Sequence, residues 1–208
     1  MGFLIKSRWI LMKKLFKYTV FFFVLLILMA TSSGPNDGST FVDDATVGTK
    51  TWSNPGNAQF SDDIYATVSL VGEDISHYLK ATNFGFSIPD GSTINGIAID
   101  VERKRNIAGG SLTSDQSVRI VKGGVITGSD LTNGLGLPTT DTYVTYGGSS
   151  NLWGTTWTVA QINASDFGFV WSGIGEEFET ATVSIDHIRI TVYYTEAGGT
   201  HTMMFSTI

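Results

Sequence analysis

The sequence predicts an all-β fold, a two-sheet antiparallel β-sandwich of jelly-roll type. Three observations carry this. Apolar and polar residues alternate with period two in several separate runs. Glycine-rich turn signals divide those runs. Helical signatures are almost absent, with one short exception.

Taken in chain order, residues 1–32 read as an address. From Met12 onward, Lys13, Lys14 and Lys17 form a positive start and Val20 to Met29 an unbroken apolar run. Ala30, Thr31, Ser32 and Ser33 are small residues suited to cleavage. The run from Tyr18 to Ala30 is thirteen residues, short of the roughly 20 that a membrane-spanning helix needs. A cleaved signal peptide is therefore expected, with a retained N-terminal anchor as the alternative and the only route to a membrane. Residues 33–39 are rich in Ser, Gly, Asn, Asp and Pro and read as a flexible leader. The sandwich domain follows over 40–195. A tail over 196–208 loses the pattern at Gly198-Gly199 and ends in apolar Met203, Met204, Phe205 and Ile208.

Within the domain, Ile64, Ala66, Val68 and Leu70 share one strand face. Ile97, Ile99 and Val101 alternate with Asp100, Glu102 and Lys104. Val118 and Ile120 alternate with Ser117 and Arg119, and Ile188, Ile190, Val192 and Tyr194 with Arg189, Thr191 and Tyr193. Each is the apolar-in, polar-out pattern of a half-buried antiparallel strand. The turns fall at Asn54-Pro55-Gly56, Pro89-Asp90-Gly91, Gly109-Gly110, Gly123-Gly124, Asn133-Gly134 and Gly147-Gly148. The helical exception is Thr158-Val159-Ala160-Gln161, which has capping-box spacing and predicts one short turn near 158–163.

Charge narrows the partners. Residues 1–32 hold five basic residues and no acid, so the rest carries 8 basic against 19 acidic residues, a net of −11. A body this acidic excludes nucleic-acid binding through phosphate neutralisation. The chain has no cysteine, which removes disulfides, thiolate catalysis and cysteine metal sites. A cysteine-free exported protein suits a bacterium or its phage, and a secreted or cell-surface location.

Several segments together carry a resemblance. They include Trp52 with Asn54-Pro55 and Asn57, Asp62-Asp63 with Tyr65-Ala66, and Asn83-Phe84-Gly85-Phe86 leading to Ile88-Pro89. Further on stand Val101-Glu102-Arg103, Val121-Lys122-Gly123-Gly124, Tyr146-Gly147-Gly148, Leu152-Trp153-Gly154, Trp157-Thr158, and Asp186-His187-Ile188-Arg189. The chain resembles, over residues 50–195, a recurring and largely uncharacterised β-sandwich module of phage and bacterial surface or virion proteins. The resemblance implies a structural or adhesive role and brings no catalytic residues with it. Virion proteins assemble in the cytoplasm, so the export-like leader points to surface use.

The stretch richest in binding chemistry is Tyr143 to Trp157. Tyr143, Tyr146, Trp153 and Trp157 surround a Gly-Ser-Asn loop containing Asn151. Aromatic faces stack on sugar rings, and Asn or Ser bonds hydroxyls; the competing reading is that these aromatics pack the sandwich edge. Asp62 and Asp63 are candidate calcium ligands, although adjacent strand residues point to opposite faces and no calcium loop motif is present. Glu176, Glu177 and Glu179 read as a solvated loop. Alternation sets Arg103 and Arg105 on the face of Val101 unless the strand ends there, and Arg103-Lys104-Arg105 reads as a solvated strand end beside Glu102. His77, His187 and His201 lack metal-ligand spacing, and a His187 dyad with Asp186 is poor geometry on a regular strand.

The expectation is a non-enzymatic exported module for adhesion or assembly, with no required cofactor. Its alternatives are a carbohydrate-binding module using the 143–157 loop, engaging a glycan or cell-surface polymer, and a self-assembling virion or filament subunit forming homo-oligomers. A polysaccharide-acting enzyme would need two convergent carboxylates, and nothing singles out a pair.

Overall fold

A computed structural model of the chain describes residues 30–106, 113–134, 136–175 and 180–197. The apolar part of the expected signal peptide, the Glu176–Glu179 cluster, His201 and the apolar tail lie outside the described residues. Among the described residues no helix is long and apolar enough to cross a membrane.

Ten strands are described: β1 (Ala30–Asp37), β2 (Thr40–Asp44), β3 (Ala66–Leu70), β4 (Tyr78–Thr82), β5 (Thr93–Arg105), β6 (Ser114–Lys122), β7 (Val125–Thr127), β8 (Thr142–Gly148), β9 (Gly168–Ile174) and β10 (Ala181–Thr195). The first sheet runs β1-β10-β5-β8, with β3 also pairing β10; the second runs β2-β4-β9-β6-β7. Every pairing is antiparallel.

Strands β3 to β10 on their own form two four-stranded sheets, β3-β10-β5-β8 and β4-β9-β6-β7. That order is the double Greek key of an eight-stranded jelly roll. The predicted fold class is therefore the observed one. β1 and β2 are additions, one to each sheet.

The alternation seen in the sequence builds the core. Ile97, Ile99 and Val101 of β5 and Ile188, Ile190 and Val192 of β10 are all fully buried, facing Val118 and Ile120 of β6 and Phe169 and Trp171 of β9. The predicted helical turn is α1 (Val159–Asn163). Its capping box is closed on both sides: Gln161 N donates to Thr158 Oγ1 at 3.3 Å, and Thr158 N to Gln161 Oε1 at 3.0 Å. A 3-10 turn over Pro55–Gln59, which the sequence marks only as a turn, begins with Pro55, where a missing N–H costs nothing.

Two expectations are corrected. Residues 30–32 of the expected signal peptide and 33–37 of the expected flexible leader are instead part of β1, paired along the edge of β10 from Ala30↔Thr195 to Asp37↔Arg189, so any cleavage compatible with this strand falls before Ala30. Small polar residues carry no apolar alternation, so a strand held by its backbone alone leaves no pattern to read. Arg103 is not at a solvated strand end; it is 1% exposed. It points inward on the face of Val101 and pairs with Asp115 of β6, in the opposite sheet. Trp171 Nε1 donates to the same carboxylate at 2.9 Å and Tyr146 OH at 2.6 Å. One buried carboxylate thus holds groups from both sheets.

β10 organises the first sheet. β5 runs along one of its sides. The other side is divided: β3 takes Ala181 to Ile185 and β1 takes Arg189 to Thr195. Between them the register against β5 shifts from Ile185 to His187, making Asp186 a bulge residue.

Candidate functional site

The expected aromatic ligand surface is dispersed by the fold. Trp153 is fully buried, with its indole N–H donating to Ile97 O at 3.0 Å and its ring edge-on to Phe169. Tyr146 is 3% exposed and belongs to the Asp115 cluster; burial holds its phenol above the ordinary tyrosine range. Trp157 is half-buried, packed against Phe167 at 5.3 Å, and donates to Leu152 O at 3.1 Å. Asn151 Oδ1 accepts from Trp153 N at 2.8 Å, closing the turn that inserts the indole. Tyr146 and Trp153 therefore offer no face to a ligand. The sequence carried both readings of this loop, and for these two residues packing holds.

Tyr143 differs because it lies on the other face of β8. Its ring sits under the Arg189 guanidinium at 4.2 Å, and its hydroxyl lies 2.8 Å from His187 Nδ1. His187 Nε2 is 2.8 Å from Asp37 Oδ1, so both ring nitrogens are occupied in linking β1, β10 and β8.

The bulge at Asp186 changes the expected strand geometry. Ile185 and Ile188 both point into the core, so Asp186 and His187 are carried between them off the inner face. Asp186 Oδ2 accepts from Asp63 N at 3.3 Å. Its Oδ1, with Glu102 Oε2 and Asp141 Oδ1, is buried without a hydrogen-bond partner. Burial pushes the Asp186 carboxyl above the usual carboxylate range, against the Asp63 N–H, and the charges of Glu102 and Asp141 push it the same way.

Asp62 and Asp63 are exposed at this edge and bond locally. Asp62 Oδ1 accepts from Ile64 N at 3.1 Å, and Asp63 Oδ1 from Tyr65 OH at 2.9 Å. Tyr65 OH in turn accepts from Lys104 Nζ at 2.6 Å, and Lys104 reaches Asp141 at 2.8 Å. Burial raises the Tyr65 phenol to about 12, which keeps it protonated at neutral pH. Among the described residues no group of three or more His, Asp or Glu side chains is arranged to hold a metal ion.

A concave site lies on the other sheet. A cleft of about 550 Å³ opens on the outer face of the second sheet, lined by Asp44, Thr46, Tyr78, Lys80, Arg119, Gly124, Val125 and Ile126. Cross-strand register explains it. Val42, Lys80, Val170 and Arg119 form one row across β2, β4, β9 and β6. Tyr78, Val121 and Val170 make a small buried apolar cluster beneath it, with Val47 and Ile126 packed against them, and Tyr78, Val125 and Ile126 give the cleft its apolar lining. Tyr78 OH is fixed by a 2.8 Å bond to Ser117.

The rim is polar and braced. Lys80 Nζ lies 3.4 Å from Asp44 Oδ2 and 3.2 Å from Gly124 O. Arg119 donates to Gly128 O at 3.0 Å and faces Asp130 at 3.4 Å. Asp44 also accepts from Thr46 N and Oγ1, which helps hold its carboxyl below the usual range against the opposing effect of burial. Apolar lining, charged donors and a carboxylate acceptor together suit a ligand with one apolar face and many hydroxyls. Sequence reading missed this site. Tyr78-Leu79-Lys80-Ala81-Thr82 alternates over only five residues, and the register that sets Lys80 and Arg119 in one row, on either side of Val170, is a property of strand order.

No protein-family model and no curated protein matches the chain. Among solved structures, the chain is similar to one described as "CBM4 structure and function", at 13% identity and a TM-score of 0.38, covering 72% of this chain and 92% of that one. It is similar to "Family 16 Carbohydrate Binding Module-2" at 10% identity and a TM-score of 0.35, covering 72% and 89%. A third, "BiXyn10A CBM1 APO", matches at 9% identity and 0.34, covering 78% and 100%. Likeness at this level assigns the chain no function.

Proposed function

We propose that this chain is a non-catalytic glycan-binding jelly roll that works outside the cytoplasm and attaches its bearer to a polysaccharide or cell-surface polymer. The cleft over β2, β4, β9 and β6 carries the reading. Its exposed apolar lining, Val125 and Ile126 beside the edge of Tyr78, takes the C–H face of a sugar, while Lys80, Arg119 and Asp44 bond hydroxyls. Their ion pairing fixes the rotamers before binding, which lowers the entropy lost on association. The basic and apolar residues of 1–32 are the reason for placing the activity outside the cytoplasm.

The test is a glycan and polysaccharide array, followed by calorimetry on any hit. Arg119→Ala should weaken binding by about tenfold or more, the worth of a charged hydrogen bond, with an unchanged melting temperature. Trp153→Ala should instead lower the melting temperature, because its indole is core. Silence across the array from a folded, monodisperse sample sinks the proposal, as does binding indifferent to Arg119 and Lys80.

A further inference from the structure

We propose that β1 is exchangeable between copies of this chain. The edge of β10 from Arg189 to Thr195 is then a strand-acceptor site, and its ligand is the Ala30–Asp37 segment of a second copy. This is independent of the glycan-binding reading and uses the opposite sheet.

Three observations carry it. First, β1 has no buried side chain: every residue from Ala30 to Asp37 is exposed or half-buried. The strand rests on backbone bonds to β10, with Asp37 to His187 and Asn36 Nδ2 to Phe84 O at 3.0 Å added at its end. Its departure opens no cavity in the core. Second, the eight-stranded jelly roll is complete without it. What departure exposes is a row of unpaired N–H and C=O groups on β10, beside the fully buried Ile188, Ile190 and Val192.

Third, the edge selects its occupant. Gly34 has φ +100°, and a Cβ there would lie 2.5 Å from Ile190 O. A strand with any other residue at that point must distort to seat. The matching glycine, in the matching register, is carried by every copy of this chain. Exchange replaces each lost bond by an identical one, which is why swapping an existing element is a low-cost route to association. The link from β1 to β2 is only Gly38 and Ser39, so an exchanged strand brings the two copies close together.

The absence of cysteine makes the test clean. Ser32 and Tyr193 are register partners across β1 and β10, and neither is buried. Full-length Ser32→Cys and Tyr193→Cys chains, distinguished by mass, are mixed under mild oxidation and resolved without reductant. The expected result is an unlike-pair dimer that increases with protein concentration and exceeds the like-pair dimers. It should be lost when the Ser32→Cys chain also carries Gly34→Val, while the circular dichroism of that chain still shows a folded β protein. Two results would overturn the proposal. One is an unlike pair no more abundant than the like pairs at every concentration. The other is an unlike pair that survives Gly34→Val, which would mark random collision.

Discussion

Strands β3 and β1 complete the same edge of β10 by different physics. β3 sets Ala66, Val68 and Leu70 against Ile185, Val183 and Ala181, all within the core. Burying a Val or Leu side chain contributes about 1.5–3 kcal/mol. On the other side of β10, Ile185 pairs with Arg103 of β5, so the β3 half of β10 also lies beside the ion pair that joins the sheets. β1 has the same antiparallel pairing and none of those anchors. Hydrogen bonds place a strand, but net of water each adds little. Side-chain burial decides how firmly it stays.

The largest effect should come from the anchored half. Asp115→Ala removes the partner of Arg103 and should cost about 3–5 kcal/mol, because a buried guanidinium is left uncompensated. Urea unfolding reads this directly. Pairing Arg103→Met with Asp115→Leu should recover only part of the loss, because Trp171 Nε1 and Tyr146 OH still lose their acceptor. Adding Trp171→Phe and Tyr146→Phe should recover more, and no further recovery would mean that the charge itself is needed.

Native-state hydrogen exchange sharpens the contrast further. The β3 amides bonded to β10 should exchange only through global unfolding, and those of Ala30–Ser33 through a lower-energy local opening. Equal protection in the two strands would abolish the distinction.

The smallest effect concerns the junction between them, at Asp186. Its folded-state pKa is raised, chiefly by burial. Its contribution to stability is therefore fully present only below the unfolded value of about 3.9 and is lost as pH rises through the folded value. Asp186→Asn should accordingly stabilise the protein near neutral pH. Its advantage over the native chain should shrink toward about pH 4, measured as urea midpoints across the range. A pH-independent difference would show that the carboxyl titrates normally.

What could be read in the sequence follows from these same differences. β3, β5 and β10 announce themselves because burial imposes apolar alternation on Val68, Ile99 and Ile190. The capping box at Thr158 and Gln161 was legible because its chemistry is local. β1 was illegible because Ala-Thr-Ser-Ser-Gly-Pro-Asn-Asp is held through its backbone. The fate of Arg103 was half legible: alternation placed it on the face of Val101, but its partner Asp115 belongs to the other sheet. Tyr143, Tyr146, Trp153 and Trp157 form a ligand surface in sequence and scatter in space, since strand alternation separates Tyr143 from Tyr146 and a turn drives Trp153 inward. The cleft was invisible for the complementary reason. Lys80 and Arg119 are distant in the chain and share one row only through β9.

The bond between the two sheets has a practical side. Many exported sandwiches lock their sheets with sulfur, and so depend on oxidation to mature. Here the lock is a guanidinium and a carboxylate, with an indole and a phenol closing around them. Neither thiols nor redox enzymes can open it, and no wrong cross-link can form during folding. The domain should mature equally well in a reducing cytosol, which makes it a convenient carrier for cysteines added one at a time.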